Sequence, residues 1–145
     1  MGRTFTDFVS EKSSEPPLCL CLIGSSGRLG TAIALAAERE NVTVRVAIDA
    51  SDPDPSAEME FDVVVDASTP EGTVRASEIA LNKGVPLLVC TTGLPKATLE
   101  IVHEASAEIP VLLAPNTSPG VAVVSRLVQE AAKLLDGWSI QIDET

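Results

Sequence analysis

Leu18-Cys-Leu-Cys-Leu-Ile-Gly-Ser-Ser-Gly-Arg-Leu-Gly30 opens on an unbroken apolar run and closes on three evenly spaced glycines. The run is too short to span a membrane and suits a strand buried on both faces, as in the middle of a parallel sheet. It stops at Gly24, and helix-forming sequence starts almost at once at Arg28. Strand, tight Gly-rich turn and helix in that order form the first half of a nucleotide-binding unit. The turn aims backbone N–H groups at one place and the helix N-terminus adds its partial positive charge, so a pyrophosphate fits there without a basic side chain.

Each glycine has a separate expected task. Gly24 permits the sharp exit from the strand, Gly27 lets a phosphate approach where a Cβ would block it, and Gly30 lets the helix pack close to the sheet. The spacing, G-x-x-G-x-x-G, is one residue longer than the commonest fingerprint, and glycines so spaced also occur in ordinary turns. The next apolar run, 42–48, ends in Asp49. That is about twenty residues past the last glycine, where a carboxylate can accept hydrogen bonds from ribose hydroxyls. Asp49 also reads as a turn residue before Ser51-Asp-Pro-Asp-Pro55.

Around this stretch the rest of the chain falls into place. Residues 1–17 are polar, lack periodicity, end in Pro16-Pro17 and read as a flexible extension. A helix is expected over 28–40, a strand over 42–48, a loop over the acidic, Pro-containing 51–60 and a third strand over 61–66. Ser68-Thr-Pro-Glu71 then reads as a capping box opening a helix that runs to Lys83 and stops at Gly84. Strands over 86–91 and 110–114 bracket a helix over 95–108. Ser118-Pro119 opens a long amphipathic helix with Val121, Val124, Leu127, Val128, Ala131, Leu134 and Leu135 on its apolar side, ended by Asp136-Gly137. The alternating stretch 138–143 reads as a half-buried strand.

Alternating strands and helices with short connections predict an α/β fold, a doubly wound parallel sheet. Ligands of such sheets bind beyond the carboxyl ends of the strands. The segments there are 24–30, Asp49, 67–70, 90–93 and 114–118.

Composition narrows the partners. At 145 residues the chain is long enough for one domain with a core, or one domain and the start of another. A formal net charge of −11 argues against nucleic acid, and no apolar run reaches membrane-spanning length. Cys19, Cys21 and Cys90 do not form a disulfide framework and read as small packed residues of a reducing compartment. No Cys/His cluster has metal-ligand spacing, so no metal site is expected, and His103, the only histidine, reads as a surface or core residue.

Four motifs occur in order: Gly24-Ser-Ser-Gly-Arg-Leu-Gly30, Asp66-Ala-Ser-Thr-Pro-Glu-Gly-Thr73, Thr91-Thr-Gly93 and Ala114-Pro-Asn-Thr-Ser-Pro-Gly-Val121. Over residues 18–145 the chain resembles the N-terminal half of 4-hydroxy-tetrahydrodipicolinate (dihydrodipicolinate) reductase, an NAD(P)H-dependent oxidoreductase of the diaminopimelate route to lysine. The resemblance implies a Rossmann-like nucleotide domain over 18–118 and, over 119–145, the opening helix and strand of a substrate and oligomerisation domain. It implies that Gly24, Ser25, Ser26, Gly27, Arg28, Leu29 and Gly30 hold the cofactor phosphates and Asp49 the adenine ribose. By the same resemblance Cys90, Thr91, Thr92, Ala114, Pro115, Asn116 and Thr117 are expected to line the nicotinamide, and Thr92 also to reach substrate.

The chain departs from the family pattern at Cys90, where glycine is usual, and at Ala67 and Thr117, where phenylalanine is common. Pro119 replaces an aliphatic residue. Cys90 reads as a packed side chain in preference to a lowered-pKa thiol. The sequence stops at Asp143-Glu-Thr145, before the family's His-His-Arg-x-Lys motif, so no catalytic residue is assigned. The stretch alone is expected to be inactive and to meet a dicarboxylate substrate only if the missing domain is supplied.

Ala50 follows Asp49 where NADPH-using relatives often place arginine, so NADH is expected to be preferred to NADPH. A cytoplasmic protein and a possible homodimer through 119–145 complete the expectations. A non-catalytic dinucleotide-binding sensor or assembly module, and a degenerate fragment that binds nothing tightly, are the competing readings.

Overall fold

The computed structural model describes residues 16–49, 52–53, 58–135, 137–139 and 141. The chain divides into two units, Met1–Pro115 and Asn116–Thr145. In the first unit the elements run β1 (Leu18–Ile23), α1 (Arg28–Ala37), β2 (Val42–Ile48), β3 (Val63–Asp66), α2 (Pro70–Lys83), β4 (Leu87–Val89), α3 (Lys96–Ala105) and β5 (Val111–Leu113). All strand pairs are parallel and the sheet order is β2-β1-β3-β4-β5. This is a doubly wound, Rossmann-like α/β sheet whose direction of winding reverses between β1 and β3.

The core has two parts, one on each face of the sheet. Cys21, Ile23, Val46, Ile48, Val64, Leu87 and Val89 point to the face covered by α2 and α3, where Ala76, Ile79, Ala80, Val102 and Ala105 meet them. Leu20, Leu22 and Val65 point to the other face, against Ile33 and Ala34 of α1. β1 is buried on both faces, as its continuous apolar run predicts.

β2 reaches both cores by an irregularity. Leu20 pairs with Val44 and Cys21 with Val46, so Arg45 is one extra residue with no counterpart on β1. A strand alternates sides with a period of two, and one inserted residue shifts that phase. Val42 and Val44 therefore join the α1 side, while Val46 and Ile48 join the α2 side. Asp49 is the next residue, so its position follows from the phase that the bulge sets.

Several boundaries differ from the sequence reading. α1 ends at Ala37, and Glu38–Glu40 form a turn in which Arg39 N–H donates to Ala36 O at 3.0 Å. α2 is capped by Thr69, whose side chain accepts from Gly72 N–H at 3.3 Å, and Pro70 takes the first helical position. Ser68 is thus not the cap: its hydroxyl bonds the buried Asp66 carboxylate. Residues 1–15 of the expected extension, and much of the expected loop over 51–60, lie outside the described residues.

The second unit contains α4 (Pro119–Leu134), with Pro119 at its first position and Ser118 Oγ accepting from Val121 N–H at 3.4 Å. Its apolar residues Val121, Val124, Leu127 and Leu134 are exposed. Of the expected strand over 138–143, Trp138, Ser139 and Gln141 have no strand structure, and Ile140, Ile142 and Asp143 lie outside the described residues. Among the described residues no helix is long and apolar enough to cross a membrane.

Candidate dinucleotide site

A crevice of about 370 Å³ opens at the carboxyl ends of β1, β2 and β3, where the winding reverses. Ile23, Gly24, Ser26, Gly27 and Asp49 form one side of it, and Ala67, Ser68, Thr69, Gly72 and Arg75 the other.

The first wall is built by close backbone contact. Gly24 has φ +84°, and a Cβ there would lie 2.4 Å from Ala67 O, so both its conformation and its neighbour require glycine. A Cβ on Gly30 would stand 2.0 Å from Gly24 O. Gly30 thus lets α1 seat against the loop itself, where the sequence suggested packing against the sheet. Gly24 N–H donates to Ile48 O at 2.8 Å, which fastens the loop to the end of β2.

Asp49 completes that attachment. Its carboxylate accepts from Ser26 N–H at 3.1 Å and from Ser25 Oγ at 3.3 Å. The Ser26 backbone bond is the main cause holding its pKa below the ordinary carboxylate value, against a smaller desolvation effect, with the serine side chains adding to it. An ionised carboxylate offers about four lone-pair sites. The serines use part of that capacity, and what remains can accept from a sugar.

Gly27 is the N-cap of α1 and supplies no side-chain cap, and the first turn of the helix carries no acid. No acid on the helix itself thus offsets the positive end of its dipole at the crevice wall, and a helix N-terminus favours an anion. Arg28 and Leu29 are exposed on the first turn of α1.

The opposite wall is fixed by Asp66, which is fully buried. One carboxylate oxygen accepts from Ser68 N–H at 3.2 Å and from Ser68 Oγ, and the other accepts from Thr73 Oγ1 at 2.6 Å. Its carbonyl accepts from Cys90 N–H at 2.8 Å, and Ser68 N–H also donates to Thr91 Oγ1 at 3.0 Å. The turns after β3 and β4 are thereby tied together. Burial, with the nearby Asp66 charge second, pushes the Cys90 thiol above its ordinary pKa. This agrees with a packed side chain and not with an activated thiol.

Thr92 is exposed beyond Thr91, while Ala114 and Pro115 follow β5 at the same edge of the sheet, with Ala114 N–H donating to Val89 O at 2.8 Å. Asn116 and Thr117 fall in the second unit, where Asn116 Oδ1 accepts from Ser118 N–H at 2.9 Å. The structure thus gathers Gly24, Ser26, Gly27 and Asp49 at one crevice and places Cys90 and Thr91 behind its second wall.

Reading the sequence by segments missed Asp66 as an anchor and Arg75 as a lining residue. A signal for Arg75 was available: it lies three residues after Gly72, hence on the same face of α2.

A nucleotide with a pyrophosphate and a ribose fits these walls, given an uncapped helix end, a close-approach glycine loop and a carboxylate beside it. Comparison with known proteins agrees. The family profile described as "Dihydrodipicolinate reductase, N-terminus" matches residues 18–117. The chain is 36% identical over 135 residues to the 4-hydroxy-tetrahydrodipicolinate reductase of Haloarcula marismortui, covering 84% of this chain and 54% of that protein. It is 35% identical over 140 residues to the enzyme of the same name from Zymomonas mobilis, covering 91% and 55%. With that of Caldanaerobacter subterraneus it shares 42% identity over 85 residues, covering 59% and 34%. The chain therefore spans about half the length of the first two of these relatives. By the profile, the identities and the crevice together, the chain belongs to the dihydrodipicolinate reductase family and carries its N-terminal, NAD(P)H-binding domain.

Proposed function

We propose that the crevice binds NADH in preference to NADPH, as the cofactor half of a 4-hydroxy-tetrahydrodipicolinate reductase. The observation that carries this reading is the attachment of Asp49 to the glycine loop through Ser26 N–H and Ser25 Oγ. It sets a carboxylate for the ribose hydroxyls beside backbone amides for the phosphates. Gly24, Ser25, Ser26, Gly27, Arg28, Leu29 and Gly30 form the phosphate loop in this reading. Cys90, Thr91, Thr92, Ala114 and Pro115 serve the nicotinamide, and the family likeness extends that role to Asn116 and Thr117.

When bound, the cofactor supplies a hydride. This chain's own residues hold and orient it: the loop neutralises phosphate charge, Asp49 fixes the ribose, and the Asp66 network keeps the turns after β3 and β4 in register. Thr92 Oγ1 offers substrate one hydrogen bond. Reduction of a conjugated imine also needs a proton donor and cations for two carboxylates, groups that no residue assigned here provides. We assign that step, and the dicarboxylate substrate itself, to the whole reductase. Residues 18–118 act as the nucleotide domain, 119–145 open the substrate domain, and a second copy of the chain covers the apolar side of α4.

Isothermal titration of the 145-residue chain with NADH and NADPH tests the cofactor reading. A carboxylate beside a 2′-phosphate is repulsive, so NADH should bind more tightly, and Asp49→Ala should weaken NADH. Tighter binding of NADPH, or an Asp49→Ala variant with unchanged NADH affinity, would refute it.

A further inference from the structure

We propose that Arg75 sets how this site treats a nucleoside 2′-phosphate, acting as the cation that opposes Asp49 in cofactor discrimination. The inference rests on the dinucleotide reading of the crevice and adds to it a residue from a different element. Arg75 stands on α2, yet its guanidinium reaches across to the exit of β2: Nη1 donates to Asp49 O at 3.1 Å and Nη2 to Asp52 O at 2.9 Å. It lines the same crevice as Asp49, Ser26 and Gly27.

Asp49 therefore has two neighbours of different character. Its carboxylate faces the loop amide of Ser26, and its carbonyl faces a cation. Both acceptors of Arg75 are neutral carbonyls, and among the described residues Arg75 makes no ion pair with a carboxylate. Among those residues no acid cancels its positive charge, and a guanidinium has five N–H donors, of which two are used in these bonds.

The chemistry separates the two cofactor forms. A ribose 2′-hydroxyl donates to the Asp49 carboxylate and needs no cation. A 2′-phosphate is repelled by that carboxylate and attracted by the guanidinium, with charge-assisted, planar hydrogen bonding available. The two effects oppose each other at one position. The preference for NADH is accordingly narrow with Arg75 in place and wide without it. Ala50, which follows Asp49 in sequence, removes one place for a cation, and α2 returns one from across the crevice.

The test uses the 145-residue chain with four probes: NADH, NADPH, ADP and 2′,5′-ADP. Loss of a charge-assisted hydrogen bond corresponds to roughly tenfold or more in affinity. Arg75→Gln should therefore weaken NADPH and 2′,5′-ADP by about that factor while changing NADH and ADP several-fold less. Arg75→Lys, which keeps the charge without the planar fork, should recover part of the loss. In the unsubstituted chain labelled with ¹⁵N-arginine, the Arg75 Nε–H resonance should shift with 2′,5′-ADP and not with ADP, a readout that needs no variant to fold. Equal weakening of all four probes by Arg75→Gln would show that Arg75 only holds the β2 exit and would overturn the inference. So would unchanged affinities, or an Arg75 resonance indifferent to the 2′-phosphate. If the unsubstituted chain binds neither NADH nor NADPH, the dinucleotide reading itself fails.

Discussion

At the scale of single residues, Asp49 joins a structural task, holding the glycine loop, to the ribose-binding role proposed for it. Its pKa is depressed in the folded protein, first by the Ser26 backbone bond. The sign of the linkage follows: the charged carboxylate stabilises the fold above the unfolded-state value of about 3.9, and that contribution is lost as pH falls through the lower folded value. Urea midpoints of the parent chain and of Asp49→Asn should differ most above about pH 5 and converge in acid. A difference that does not change with pH would mean that the carboxylate is not the stabilising form. Asp49 was visible from sequence because it closes an apolar run at a known distance from the glycines. Asp66 was not, since an acid closing a strand carries no mark of being buried. Only the folded chain brings Ser68 and Thr73 to its two oxygens.

At the scale of elements, the sequence located every strand and helix of the nucleotide unit but not all their ends. β2 came out at its expected bounds, whereas β4 and β5 shrink to Leu87–Val89 and Val111–Leu113. Apolar character marks where a strand is, but ladder pairing sets its length, and here Leu87, Leu88 and Val89 pair with Val111, Leu112 and Leu113. The start of α2 shows the same limit. Ser68 and Thr69 are both good caps by residue type, and the capping-box spacing favoured Ser68. The pull of Asp66 on the Ser68 hydroxyl decides for Thr69. Thr69→Ala should then cost about 0.5–2 kcal/mol in denaturant unfolding. Unchanged stability would show that the Gly72 amide finds another partner.

For the whole molecule, the outstanding surface is the apolar side of α4. Val121, Val124 and Leu127 are exposed, and covering each such side chain is worth roughly 1.5–3 kcal/mol. Static light scattering should give the mass of a dimer for the full chain, of a monomer for a chain ending at Ser118, and of a monomer for Leu127→Glu. A monomeric full chain would exclude the second copy as the cover. The amphipathic period of this helix was legible in sequence. What covers it was not, because periodicity shows which side is apolar without showing what meets it.

The extra residue in β2 has one further consequence. Among the described residues β2 is an edge strand of the sheet, and the outer backbone groups of an edge strand can pair with another strand. Arg45 interrupts that edge with a bulge and an exposed cationic side chain. A bulge and a charge are two of the devices by which natural sheets resist adding a strand from another chain. The residue that switches β2 from one core to the other thus also places on that edge the two features that disfavour a further strand.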